Sequence, residues 1–285
     1  MNKLLQKSLL TVTFCIGIAK PSLAHVIWFP PEQIGQNGYQ LWLSEFNDPS
    51  SIPYDTYGLY NLGSIEALDS SGNQIPSTIS QSPTGPVSIT PSAPPAALVA
   101  SYDRGYWIRD DSVGFDVDHL PANYLGYLTP DQVAARGYGN VVHHLRYTTA
   151  LFQWSDIFAQ PFNSSLGQLL QIVPLANPFS LKPGDELPVE VFFNGTQVDN
   201  DPALQLGNSD QSFTPDANGI FEITIGNNGL DPLEADYSTP QTSNSPLNYY
   251  AASFSTVGVP EPSSLGGTIL GAIGVVFFAR RRKRY

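Results

Sequence analysis

Proline and glycine punctuate this chain so often that long helices have little room in its body. It carries 25 prolines and 24 glycines in 285 residues. Between them lie short apolar runs, and no long stretch repeats apolar residues at helical spacing. Short apolar runs bounded by turn residues predict an all-β fold of sandwich or barrel type.

The second half shows the pattern best. Lys182-Pro183-Gly184-Asp185 reads as a turn. Leu187–Phe193 follows, with Leu187, Val189, Val191 and Phe193 on one face of a strand. Asn194-Gly195 is a hairpin signal. Asp216–Gly219 is a second turn that leads into Ile220–Ile225, and Tyr249–Val257 reads as a closing strand. These elements predict an Ig-like Greek-key β-sandwich over 166–258. A β-rich N-terminal part over 25–160 makes a second sandwich-like unit. In it, Val26–Phe29, Tyr39–Leu43 and Ala97–Ile108 read as strands. Residues 76–97 carry no charge and are rich in Pro, Ser and Thr, so they read as an extended loop or insertion. Asp118–Gln132 reads as a loop with room for a short helix. Val141–Trp154 is either a long strand or a helix, because periodicity alone does not separate the two.

The two ends have a different character. Residues 1–24 read as a secretory signal peptide: Lys3 and Lys7, then the apolar stretch Ser8–Ala19, then Ser22-Leu23-Ala24 before a cleavage point. Gly17-Ile18-Ala19 is a competing cleavage site. At the other end, Pro260, Glu261 and Pro262 precede an uncharged apolar run, 265–279, and a basic cluster from Arg280 to Arg284. The run is shorter than the ~20 residues of a typical membrane helix, and flanking arginines can snorkel to make up the difference. It is expected to form a transmembrane helix with its basic end in the cytoplasm. This three-part tail, 259–285, resembles the PEP-CTERM sorting signal. The resemblance implies processing by an exosortase-type enzyme and an exported protein. Such a protein faces the periplasm or exterior from the cell membrane, or is released to the cell surface.

The ends also hold most of the positive charge. Of 13 basic residues, three lie in 1–24 and five in 259–285, which leaves five in the body against 24 acidic residues. Such a field repels nucleic acid and anionic polymers and attracts cations. The single cysteine, Cys15, falls in the leader, so the mature chain has no disulfide, thiolate site or cysteine nucleophile.

The body itself resembles an exported bacterial family of unknown function whose members are described as periplasmic nickel- or cobalt-uptake components. The similarity is carried by His25–Pro30, by Pro95–Trp107, by Leu175–Val198 and by the Asp216–Ile225 turn and strand. It implies two β-sandwich-like parts and a transition-metal ligand set outside the cytoplasm.

The histidines are the candidate ligands: His25, His119, His143 and His144. If cleavage follows Ala24, His25 offers both its α-amino group and imidazole Nδ1 to one ion. Imidazole sites suit nickel, cobalt, copper or zinc, and the resemblance places nickel or cobalt first. His143 and His144 are neighbours, so on a strand they point to opposite faces and one of them faces a given site. His119 sits beside Asp116 and Asp118. No HExxH, GxSxG, P-loop or complete GxGxxG occurs, and the expectation is a non-catalytic protein. Its partners would be metal-transporter components. The alternative is a structural or interaction module of the cell surface and its exopolysaccharide matrix.

Overall fold

The computed structural model describes residues 26–29, 38–44, 61–81, 87–109, 124–162, 166–198, 201, 203–208 and 211–257. The expected leader, His25, His119 and the 259–285 tail, including Pro260, Glu261 and Pro262, lie outside these residues. Among the described residues no helix is long and apolar enough to cross a membrane.

The described chain is mostly strand. Its first part contains β1 (Val26–Trp28), β2 (Tyr39–Ser44), β3 (Asn61–Leu68), β4 (Gln74–Ile75), β5 (Ser77–Gln81), β6 (Val87–Pro91), β7 (Ala97–Arg109) and β8 (Tyr124–Leu128). A short helix, α1 (Pro130–Arg136), leads into β9 (Val141–Leu151). Then come β10 (Leu170–Pro174), β11 (Glu186–Phe193), β12 (Thr196–Gln197), β13 (Leu204–Gly207), β14 (Ser212–Phe213), β15 (Phe221–Thr224), β16 (Leu233–Thr239) and β17 (Leu247–Thr256). The Pro/Ser/Thr-rich stretch expected as a loop forms β5 and β6, paired antiparallel from Ser77↔Pro91 to Gln81↔Val87. Alternating Val87 and Ile89 are fully buried there, a period-two signal that the composition of the stretch masks.

Three layers of sheet result. A nine-stranded central sheet runs β14-β13-β16-β17-β9-β7-β3-β4, with β8 added beside β7. One face carries the small sheet β1-β2-β6-β5, and the other carries β10-β11-β12 with β15. The first interface is packed by Ile27, Phe29, Leu41, Val87 and Ile89 against Ile65, Leu98, Ala100 and Ala150. The second sets Leu170, Ile172, Leu187, Val189, Val191 and Phe221 against Val99, Tyr147, Ala235, Ala252 and Phe254. The central sheet crosses the expected boundary between 25–160 and 166–258, because β9 pairs in parallel with β17 from Val142↔Leu247 to Leu151↔Thr256. Val141–Leu151 is therefore a strand. A strand with neighbours on both edges and sheets on both faces is buried nearly throughout, which erases the alternation that would have identified it.

Local signals set the turns. Asn194 (φ 50°) and Gly195 (φ 75°) both take positive φ in the tight β11–β12 hairpin, as a two-residue turn of this hand requires. At α1, the Thr129 hydroxyl accepts from the Gln132 amide while the Gln132 side chain accepts from Thr129 N–H. This reciprocal cap satisfies two otherwise orphaned donors. Thr129→Ala is expected to cost about 1 kcal/mol. A thermal melt should record it as a drop of about 2–4 °C for a chain of this size.

Candidate functional site

The central sheet is polar on the inside at one end. On the face toward β1, successive β9 side chains are His144, Arg146 and Thr148, all essentially without solvent exposure. Beside them on β17 stand Tyr249, Ala251 and Ser253, and on β16 stand Asp236 and Glu234. Arg104 joins from β7, where an irregularity between Asp103 and Gly105 interrupts the register with β9, and Gly105 takes φ 82°. Two cations and two carboxylates thus lie behind the small sheet.

Their contacts are those of a desolvated ion cluster. The Arg146 guanidinium lies 4.8 Å over the Tyr249 ring, a cation–π contact. Burial opposes its charge, but Tyr249 together with the Asp236 and Glu234 carboxylates more than compensates and raises its pKa. The Tyr249 hydroxyl donates a hydrogen bond to Asp236 Oδ1. Burial pushes the Tyr249 phenol well above its usual range, so it stays protonated at neutral pH. Burial also raises Asp236, while Tyr249 and Arg146 pull it back down. His144 packs edge-on against Tyr249 at 5.3 Å. Burial first, and then the charges of Arg146, Arg104 and His143, hold its pKa well below 6.5, so the imidazole is neutral at pH 7. Arg104 stacks on Trp107 at 5.3 Å.

The direction of β1 matters here. Ser253 Oγ donates to Ile27 O at 2.6 Å and contacts Thr148 Oγ1 at 2.7 Å, which fixes β1 over the β9–β17 seam. Tyr39 lies on β2 beyond Trp42, the partner of Trp28, and its ring meets Phe152 just past the end of β9. So β1 runs in the same sense as β9 and β17, and the chain enters it from the His144–Arg146 end.

His143 points to the opposite face, as neighbours on a strand must. Its Nε2 lies 2.8 Å from Asp103 Oδ1, and its ring stacks on Tyr106 at 4.2 Å with planes 19° apart. Burial tends to raise Asp103, but His143 and the Gly105 amide outweigh it and hold the carboxyl below its usual value. The structure therefore separates the His143/His144 pair. Among the described residues no three His, Cys, Asp or Glu side chains come together as a group able to hold a metal ion. Arg146, Glu234 and Asp236 were not singled out in the sequence reading. A signal was present: charged residues inside the apolar strands VVHHLRYTTALF and LEADY.

A three-layer all-β body with a buried ion cluster on one face of its central sheet defines the class. The chain belongs to the family described as Domain of unknown function (DUF4198), whose model matches residues 23–239. No curated protein and no solved structure matches the chain.

Proposed function

We propose that this is an exported, non-catalytic protein that binds a transition-metal ion as cargo, nickel or cobalt by the family resemblance, with copper and zinc behind them. The amino-terminal His25 supplies two nitrogens, the freed α-amino group and imidazole Nδ1. His144 supplies a third.

The polarity of β1 carries this reading. The chain enters that strand from the His144–Arg146 end, one residue after His25. His144 is held neutral, as a ligand imidazole must be. The charges of Arg146 and Arg104 are matched by Glu234 and Asp236, so an arriving dication does not meet a net positive cluster. His143, on the far face and bonded to Asp103, is outside the set. The acidic body favours cation capture. The sorting tail supports delivery to the membrane or cell surface, where a metal transporter would be the partner.

Calorimetric titration of the full chain, purified as the cell exports and processes it, tests the reading. At pH 7.5, nickel or cobalt should bind tighter than micromolar. His25→Ala, or one residue retained before His25, should weaken binding at least tenfold, and His143→Ala should leave it unchanged. Protons compete for an amino group of pKa about 7.7–8.0 and an imidazole of about 6.5, so binding should fade below about pH 6. No binding tighter than micromolar for nickel, cobalt, copper or zinc overturns the proposal and leaves the structural-module alternative.

A further inference from the structure

The small sheet β1-β2-β6-β5 ends on an open strand. Among the described strands β5 pairs only with β6, and Ser77, Thr78, Ile79 and Ser80 are all exposed. Ser92 N–H donates to Pro76 O at 2.8 Å, which fixes the direction of the backbone groups along β5. With Ser77 opposite Pro91 and Ile79 opposite Ile89, the bonded pairs fall on Pro76, Thr78 and Ser80. Ser77, Ile79 and Gln81 therefore aim their N–H and C=O groups away from β6, along the free edge.

Edges of this kind are normally blunted by charge, an internal proline or a bulge. β5 has none of these: its register with β6 is unbroken and its sequence is STISQ. Other edges of the fold differ. β4, β12 and β14 have two residues each, β10 is buried throughout, and β15 carries Glu222. Ile79, at 49%, is also the most exposed large apolar side chain among the described residues. It lies beside Ile89, which is fully buried, so the apolar layer between the sheets reaches the open margin at this point.

Two properties of the edge select its occupant. The first is charge. No charged residue occurs between Asp69 and Asp103, in a body with 24 acidic and five basic residues. A basic partner finds nothing to pair with here, whereas two copies of this acidic chain can meet here without setting like charges on facing strands. The second is self-complementarity. In an antiparallel pair with a two-fold axis through Ile79, Ile79 meets Ile79 of the other copy, Thr78 meets Ser80, and Ser77 meets Gln81. Each outward N–H of Ser77, Ile79 and Gln81 then meets a C=O. The isoleucines close the apolar layer, and hydroxyl side chains lie opposite each other on the outer face.

We propose that β5 is a homodimer contact, in which two copies of this chain join edge to edge, antiparallel about Ile79, and merge their small sheets into one. The contact is isologous and closes on itself, because each copy uses its β5 edge in forming it. A strand pair this short covers less than the roughly 800 Å² per partner of a standard interface, so the dimer is a weak one.

Sedimentation velocity of the full chain, as exported and processed, tests this over about 1–200 µM, a range suited to a transient interface. The mean sedimentation coefficient should rise with concentration from monomer toward dimer, with or without EDTA. Ile79→Lys should weaken association at least tenfold. Ile79→Pro should do the same while keeping the β5–β6 pairing, because the N–H it removes points to the free edge. Cross-linking reads the register independently. The only cysteine, Cys15, falls in the leader, so the processed chain has no competing thiol. Ile79→Cys should form a disulfide-linked dimer under mild oxidation, with the two α-carbons about 5.5 Å apart. Ser77→Cys alone should not, since its two copies lie about 13 Å apart along the strands. Ser77→Cys mixed with Gln81→Cys should link. The proposal is overturned if the chain stays monomeric at the highest concentration, if EDTA dissolves the dimer, or if Ile79→Lys leaves it unchanged. It is equally overturned if Ser77→Cys links to itself as readily as Ile79→Cys.

Discussion

Arg146→Met lowers the unfolding free energy by about 3–5 kcal/mol, the scale seen when one partner of a buried ion cluster is removed. The arginine has no solvent exposure, and Glu234 beside it is 2% exposed. Methionine keeps much of the side-chain volume but leaves two carboxylates side by side on β16 behind the small sheet. Their charges then lack the cation that balances them, and the Tyr249 ring loses its guanidinium. Denaturant unfolding at pH 7 reads the loss as a lower midpoint at unchanged slope. Adding Glu234→Gln and Asp236→Asn to Arg146→Met should recover a large part of it, because the stranded charges are then gone. A single-variant loss under 1 kcal/mol would mean that water reaches the cluster.

The second large effect is on acid stability. His144 is buried and neutral, with its pKa held well below 6.5. Once the chain unfolds, that imidazole titrates near 6.5. Below this pH the unfolded state therefore binds a proton that the folded state refuses. Stability falls as pH drops from 6.5 toward the folded-state value, by about 1.4 kcal/mol per pH unit once well below 6.5. Asp103 acts in a lower window. Its folded pKa is depressed, so its contribution is present above about pH 4 and is lost as pH falls through the folded value. Unfolding curves for metal-free protein at half-unit pH steps separate the two. His144→Gln, which cannot titrate, should flatten the slope just below pH 6.5, and an unchanged slope would refute the assignment.

Much of the strand pattern was legible wherever one face of a strand is open to solvent. Leu187, Val189 and Val191 alternate with partly exposed residues in β11, and both the strand and its Asn194-Gly195 turn follow from the sequence. β9 was ambiguous for the opposite reason. It lies in the middle of a three-layer stack, where burial of both faces removes the period that distinguishes strand from helix. Its pairing with β17 was not legible at all. Parallel neighbours need no connecting turn, and nothing local in Val141–Leu151 names Leu247–Thr256 as its partner. The same limit hid the ion cluster, because Arg146, Glu234 and Asp236 meet only once that pairing and the β16–β17 hairpin are formed. That His143 and His144 point apart follows from strand geometry once the segment is known to be a strand.

The seam between β9 and β17 also sets the order in which this chain can mature. About a hundred residues separate the two strands in sequence, so the loop that must close before they zip together is long. A chain emerging from its amino terminus completes β7 and β9 early. It then carries β9 as an unprotected edge until its last body strand arrives. That edge is rich in β-branched and aromatic residues, which makes it adhesive toward other chains. Residues 247–256 therefore act as an internal cover strip for the nascent protein. A truncation just before Leu247 would leave a sticky, half-built sheet rather than a smaller stable domain.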